Sequence, residues 1–224
     1  DIMWPALISV VEKSDMKMTC FIQPQADYTD DIEPKSGNLE FYLKQMKEQS
    51  AEAGISLEYQ KLDKAEDKVT KDTEFFETEK INYRFGAAFA KEKDLKGILK
   101  DTDSGLLGDV GTLVCDYTEN QPVVSYYSDS VTLQTVTSDG MNYAYSDDIR
   151  MRSIQTALGY TNVMLDMYDI FWPQEKTDRW EVMQKRFSSN LLTYWKNFRD
   201  FDSTPLSESN ARIRTFLNLA YSQS

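Results

Sequence analysis

The stretch Trp4-Pro-Ala-Leu-Ile-Ser-Val-Val11 and the stretch Lys17-Met-Thr-Cys-Phe-Ile-Gln23 that soon follows it decide the fold. The first has a proline near a helix start and places Leu7, Ile8 and Val11 at helical spacing. The second is short and rich in β-forming residues, which is typical of a buried strand. A helix and a buried strand therefore open an alternation that continues along the chain.

The remaining segments continue this alternation and predict parallel strands joined by crossover helices, an α/β fold of sheet or barrel type in a single domain. The charge-dense residues 61–80 are expected to form a solvated helix face or a surface excursion. Residues 122–145 are β-like and are expected to form a small β insertion. Further helices are predicted for residues 39–53 with Gly54 as C-cap, for 75–99, for 147–158 closed by Gly159, for 178–199 and for 205–221, and further strands for 55–59, 112–117 and 162–166.

The composition excludes several common mechanisms. The 224 residues include 25 Lys and Arg, 37 Asp and Glu, and no histidine, so the formal charge is −12. Without histidine there is no Ser-His-Asp triad, no Cys-His dyad and no histidine-ligated metal site. Any catalysis must use carboxylates, Tyr, Lys, Cys or a borrowed cofactor. The negative charge argues against binding to nucleic acid or to an anionic membrane surface.

The two cysteines and the chain ends carry further expectations. Cys20 and Cys115 each lie in an apolar, β-favouring run, which predicts two buried free thiols. No apolar run approaches the roughly 18 residues that a membrane span needs. The chain begins at Asp1 without an initiator Met or a signal peptide, so we expect a piece of a longer protein with flanking domains.

The carboxyl ends of the predicted strands supply the candidate functional residues, because ligands of open α/β sheets bind there. Carboxylates at these ends suggest the acid and base pair of a glycoside hydrolase. The alternative interpretation is that acidic residues begin loops because they favour turns. The candidate catalytic residues are Glu58, Asp116, Asp166 and Asp169, and the candidate ligand-binding residues are Gln25, Asp27, Tyr28, Tyr117, Tyr168 and Trp172, the last as a ring that stacks on a sugar.

Motifs over most of the chain occur in an order that is found in a known family. They are Trp4–Ile8 with Met18–Ile22, Ala51–Ser56, Tyr83–Gly86, Ala157–Tyr160 with Asn162–Trp172, then Trp180, and Thr204–Glu208. This order resembles the polysaccharide deacetylase (NodB-like) superfamily, in particular the DUF2194-type bacterial proteins associated with cell-envelope and exopolysaccharide genes.

The resemblance implies a distorted (β/α) barrel with a small β insertion and two C-terminal helices. It also implies metal-dependent hydrolysis of acetyl groups on a polymer, with one Asp and two His as ligands and a further His as acid. Arg84 corresponds to the arginine of the family's third motif. The histidine-bearing segments read Gly54-Ile-Ser-Leu-Glu-Tyr59 and Met164-Leu-Asp-Met-Tyr-Asp169, so every histidine that the mechanism needs is missing. The strand with the first Asp-Asp motif would precede Trp4.

The leading hypothesis is a degenerate, histidine-free relative in the cell envelope or outside the cell, without a metal or cofactor, that binds polysaccharide or a protein partner and has little or no deacetylase activity. Three alternatives stay open. The carboxylates could surround a hard cation such as Ca²⁺ or Mg²⁺. They could serve a glycoside hydrolase on a (β/α) barrel. The domain could also be a protein-interaction module of a larger envelope protein.

Overall fold

The computed structural model describes residues 3–14, 16–22, 35–48, 51–56, 65–81, 85–87, 110–116, 121–139, 145–165 and 202–222, with residues 185 and 188–189. The elements in chain order are α1 (Met3–Ser14), β1 (Thr19–Ile22), α2 (Lys35–Glu48), β2 (Glu52–Ser56), α3 (Ala65–Thr78), β3 (Phe85–Ala87), β4 (Thr112–Cys115), β5 (Val124–Tyr126), β6 (Thr132–Thr135), β7 (Ser138–Asp139), α4 (Tyr145–Leu158), β8 (Val163–Met164) and α5 (Leu206–Ser222). This mixed architecture confirms the predicted α/β class.

The chain divides into two compact units. The larger unit comprises Lys17–Thr135 and Thr204–Ser224, and the smaller unit comprises Asp1–Met16 and Val136–Ser203. The larger unit is therefore discontinuous in sequence, and α5 rejoins it after the chain has passed through the smaller unit.

A six-stranded sheet with the order β1-β2-β3-β4-β6-β5 forms the centre of the larger unit. Neighbouring strands are parallel from β1 to β6, while β5 pairs with β6 in the antiparallel direction. Helices α2 and α3 lie in sequence between consecutive parallel strands, which is the predicted crossover pattern. In the described part of the chain the sheet is open, with β1 and β5 at its edges.

The two faces of this sheet differ in chemistry. Side chains alternate between the faces along each strand, and the pairing register aligns equivalent residues across the sheet. One face, which we call the apolar face, carries Cys20, Ile22, Ala53, Ile55, Leu113, Cys115 and Leu133, and also the polar Thr135. The opposite face, the polar face, carries Thr19, Glu52, Ser56, Thr112, Thr132 and Gln134, and also the apolar Phe21 and Val114. Strands β4 and β6 are buried along their whole length, so both of their faces are covered.

The buried polar side chains of the polar face satisfy one another. The hydroxyl oxygens of Thr112 and Thr132 lie 2.7 Å apart, and the Gln134 amide donates to the Thr112 oxygen at 2.9 Å. The Thr132 oxygen also lies 2.7 Å from Oδ1 of Asn210 in α5, whose amide nitrogen donates to the Gly111 carbonyl at 3.4 Å. The Thr132 hydroxyl therefore faces two acceptors, Thr112 Oγ1 and Asn210 Oδ1, and the Thr112 hydroxyl donates to the Thr132 carbonyl at 3.4 Å.

Helix α5 crosses the edge of the sheet at which the parallel strands begin, which we call the amino edge. Near its start, the backbone N–H of Ser207 donates to Glu52 of β2 at 3.0 Å. Near its end, the hydroxyl of Tyr126 in β5 donates to Asn218 at 2.6 Å. A 17-residue helix is about 25 Å long, and six strands about 4.8 Å apart span about 24 Å. The helix is therefore long enough to cross the sheet.

The smaller unit contains α1, α4 and the two-stranded parallel sheet of β7 and β8. In α1 the residues predicted from helical spacing, Leu7, Ile8 and Val11, are buried. Helix α4 ends at Gly159, which has a φ of +62° and donates its N–H to the Gln155 carbonyl at 2.8 Å. The prediction of a helix closed by Gly159 is confirmed.

Two predictions about the second strand and its flanking helix are wrong. Gly54 is not the cap of a helix that reaches Ala53, because α2 ends at Glu48 and Gly54 is buried in β2. The segment 51–53 has helix-forming residues, but its pairing with β1 outweighs this local preference. The predicted helix over 75–99 is also wrong, because α3 ends at Thr78 and Phe85–Ala87 forms β3.

Two strands of the region predicted as a β insertion, β5 and β6, belong to the main sheet, whereas β7 pairs with β8 in the smaller unit. Strand β6 pairs in parallel with β4, and β5 adds to β6 as an antiparallel edge strand. The sequence shows only turn signals and alternation here, whereas the parallel pairing with β4 is a long-range contact. The charge-dense segment is confirmed as a largely solvated helix, since α3 exposes Lys71, Glu74 and Glu77. The predicted helix over 178–199 lies mostly outside the described residues.

The left-handed backbone conformation at Gly159 allows us to predict how substitutions there change stability. Gly159→Ala is expected to lower the free energy of unfolding by about 1 kcal/mol, because a side chain disfavours positive φ. No heavy atom lies within 4 Å of the position that a Cβ would take, so the loss comes from the backbone and not from a clash. Gly159→Asn is expected to lose less, because Asn tolerates this conformation. Thermal unfolding of both variants measures the difference, and equal losses would contradict this explanation.

The polar network makes a second stability prediction. Thr132→Val removes the hydroxyl that Thr112 and Asn210 both contact, so it is expected to lower the free energy of unfolding by about 1–3 kcal/mol. The matched control is Thr215→Val, because the exposed Thr215 hydroxyl bonds only to the Ala211 carbonyl of its own helix. The control is expected to change stability by less than about 0.5 kcal/mol. Urea unfolding of both variants tests this, and equal effects would argue against the network.

Candidate functional site

The edge of the larger sheet at which the parallel strands end, which we call the carboxyl edge, is the candidate site. In open α/β sheets, ligands bind at the carboxyl ends of the strands. Since α5 lies across the amino edge, the carboxyl edge is the side on which a ligand site is expected.

Asp116 is the candidate residue that the structure places at this edge. It directly follows β4, beside the Cys115–Thr135 pair that ends the parallel pairing with β6, and it is exposed to solvent. By the alternation along β4, Asp116 follows Thr112 and Val114 on the polar face. An exposed carboxylate in this position can accept hydrogen bonds from hydroxyl or amide groups of a ligand.

The row of side chains next to the carboxyl edge was not predicted. The register aligns Val114 of β4 with Gln134 of β6 on the polar face, and Ser56 of β2 lies on the same face. Ser56 and Gln134 are buried, and Gln134 is held by Thr112. A partial signal was present in the sequence, since Thr132 and Gln134 are polar at alternate positions of β6, whereas in β4 only Thr112 is polar. Alternation of this kind indicates a strand with one polar face.

The other candidate residues lie outside the described residues, so their roles stay predictions. Asp116 is therefore not brought together with any of them in the part of the chain that the structure describes. They are Gln25, Asp27, Tyr28, Glu58, Arg84, Tyr117, Asp166, Tyr168, Asp169 and Trp172.

Among the described residues, no group of three or more His, Cys, Asp and Glu side chains has an arrangement that could hold a metal ion. None of the helices in the described ranges is both long and apolar enough to cross a membrane.

A second polar cluster, in the smaller unit, surrounds Thr137. Its backbone N–H donates to Asn162 Oδ1 at 2.7 Å, and its hydroxyl lies 2.7 Å from that of Thr161. The Asn162 amide donates to the Tyr160 hydroxyl oxygen at 2.8 Å. Burial raises the pKa of Tyr160, and the hydrogen bond from Asn162 lowers it by less, so the phenol stays protonated near neutral pH. The cluster joins the segments before β7 and β8 and has the character of a structural contact.

The two cysteines are free, as predicted, but only Cys115 is buried, whereas Cys20 is half-buried. Cys115 is buried at the end of β4, where the side-chain amide of Gln121 lies 3.7 Å from its sulfur. Burial raises the pKa of the Cys20 thiol to about 12, so almost no thiolate is present near neutral pH. A reactive cysteine needs a lowered pKa, and Cys20 therefore lacks the character of a nucleophile.

Comparison with protein-family models, with curated proteins and with solved structures gives no match for this chain.

The raised pKa of Cys20 predicts the pH dependence of its alkylation. Only the thiolate reacts, so the rate for Cys20 in the folded protein is expected to rise about tenfold for each pH unit between about pH 8 and pH 10.5. In urea the same thiol is expected to level off above its ordinary pKa of 9.0. Peptide mapping after iodoacetamide treatment follows the Cys20 reaction separately from that of Cys115. A native rate that levels off near pH 9 would show that the thiol is not shielded.

Proposed function

We propose that this chain is a carbohydrate-binding α/β domain of a bacterial cell-envelope or exopolysaccharide system, with little or no deacetylase activity, whose ligand lies at the carboxyl edge of the larger sheet. The observation that carries the proposal is the asymmetry of the two sheet edges. Helix α5 crosses the amino edge and contacts β2 and β5 there, whereas the described carboxyl edge carries the exposed Asp116.

The arrangement of the strands supports a relation to the NodB-like barrel. Strands β1 to β4 are neighbours in chain order, all parallel, as successive strands of a (β/α) barrel are. Barrels of this kind have an inner face filled by side chains and an outer face covered by helices. We propose that the polar face corresponds to the inside of such a barrel and the apolar face to the outside. Closure of the barrel is part of the proposal.

The absence of histidine supports binding over acetyl hydrolysis. A deacetylase of this type needs metal ligands that are neither very hard nor very soft, and it needs an acid that titrates near neutral pH. The imidazole of histidine supplies both. The whole chain contains no histidine, so neither role can be filled in this way. A carbohydrate site needs hydrogen-bonding groups, and the exposed carboxylate of Asp116 at the carboxyl edge is one.

Binding is tested with Asp116→Asn and a matched control. Affinity electrophoresis in gels that contain acetyl-xylan, together with titration calorimetry with acetylated chitooligosaccharides, measures the dissociation constant of the full chain. Asp116→Asn is expected to weaken binding about tenfold, because a charged acceptor of ligand hydrogen bonds is lost. The control is Asp129→Asn, since Asp129 is also exposed but lies in the turn between β5 and β6 at the amino edge. This control is expected to bind as the unchanged protein does.

Three results would overturn the proposal. If neither glycan binds, the proposal is wrong. If Asp116→Asn and Asp129→Asn both bind the glycans as tightly as the unchanged protein does, the carboxyl edge is not the carbohydrate site. If the protein releases acetate from these glycans with zinc or cobalt, and a chelator stops the release, the domain is an active deacetylase. If the unchanged protein hydrolyses the glycan chain and Asp116→Asn does not, the alternative of a glycoside hydrolase is supported instead.

A further inference from the structure

Polar groups near both ends of α5 hold it on the sheet, in addition to the buried contacts of Asn210 with Thr132 and Gly111. At the start of the helix, Leu206 N–H donates to the Thr19 hydroxyl at 3.1 Å, and both the N–H and the hydroxyl of Ser207 donate to the Glu52 carboxylate. The carboxylate also lies where the positive end of the helix dipole stabilises an anion.

The second set of contacts lies toward the end of the helix. There, the Arg214 guanidinium donates to the Ser130 carbonyl at 2.7 Å and lies 5.8 Å from the centre of the Tyr126 ring. The hydroxyl of Tyr126 donates to Asn218 at 2.6 Å. All these groups lie at the edge of the sheet or in the turn beside it, where water can replace the partner that the helix supplies.

The apolar contribution to the docking of α5 is small. Of its 17 residues, Asn210, Ile213 and Leu217 are buried, so two apolar side chains carry the hydrophobic contact. Phe216, Leu219 and Tyr221 are exposed. Hydrophobic stabilisation grows with the buried apolar area, so this helix is held less firmly than the strands on which it lies.

Several hydrogen bonds of the sheet involve only sheet residues. The Thr19 hydroxyl donates to Glu52 at 3.4 Å, the Thr112 and Thr132 hydroxyls contact each other, and the Gln134 amide donates to Thr112. The contacts of Asn210 with Thr132 and Gly111 tie the polar network to α5. The strand pairs involve no residue of α5. Release of the helix therefore leaves the ladder of the sheet intact and opens its polar groups to water.

We propose that α5 is a strap across the amino edge, which detaches as one unit while the six strands stay paired. In the attached state it closes the polar face at the amino edge. In the detached state Glu52, Thr19 and Thr132 become accessible to solvent at this edge. The proposal is independent of the ligand that the carboxyl edge binds.

Hydrogen exchange of the full chain, followed by mass spectrometry, tests the strap. Under native conditions the amides of α5 are expected to exchange faster than those of β4 and β6, because α5 opens without global unfolding. Glu52→Gln removes the charge that accepts from Ser207, so it is expected to speed exchange in α5 about tenfold and to leave β4 and β6 unchanged. The control is Glu208→Gln, which removes an exposed carboxylate from the first turn of the same helix and is expected to change exchange by less than about twofold.

A second variant keeps the test decisive if Glu52→Gln does not fold. Tyr126→Phe removes only the hydroxyl that donates to Asn218, and it is expected to speed exchange in α5 and not in β4. The strap is overturned if α5, β4 and β6 exchange at one common rate, or if either variant speeds exchange in the strands as much as in α5. In that case α5 is a fixed part of the cooperative core.

Discussion

The hydroxyl pair of Thr112 and Thr132 is the constraint on which the larger unit depends. Both side chains are fully buried between neighbouring strands, and a buried hydroxyl without a partner would cost more than the bond it replaces contributes. Gln134 supplies a donor on one side of the pair, and Asn210 supplies an acceptor on the other. Because Asn210 belongs to α5, the polar centre of the sheet needs a helix at its amino edge to be complete. With this helix at the amino edge, the carboxyl edge is the side at which we propose a ligand.

The two faces of the sheet contribute to the larger unit in different ways, one through apolar burial and the other through hydrogen bonds. Residues such as Ile55, Leu113 and Leu133 form an apolar surface, and burial of this surface stabilises the unit. Each buried polar group of the polar face needs its own hydrogen-bond partner. The polar face therefore restricts the side chains that can pack against it more than the apolar face does. A domain that is proposed to recognise sugars benefits from a framework in which hydrogen-bonding groups lead up to the edge at which the sugar lies.

The elements that sequence analysis predicted well have strong local signals. The spacing of Leu7, Ile8 and Val11 defines α1, and Gly159 marks the end of α4 through a backbone conformation that favours glycine. The signals failed where long-range pairing decides the structure. Gly54 reads locally as a helix cap, and Phe85-Gly-Ala87 contains no β-branched residue, yet both lie in strands with partners on either side. For the site, the rule that strand ends carry function placed Asp116 correctly at the carboxyl edge. The network behind it depends on Asn210, which is 78 residues from Thr132, and no local pattern connects the two.

The discontinuity of the larger unit sets an order for folding during synthesis. Thr19, in the first strand, contacts Leu206, which is 187 residues further along the chain. At roughly 5–20 residues per second, the ribosome needs on the order of 10–40 s to supply this partner. During that time the strands of the larger unit emerge, and the residues of the smaller unit follow, before α5 exists. The nascent sheet therefore exposes its amino edge for much of translation, and the last step of its assembly is the return of a helix to strands made long before.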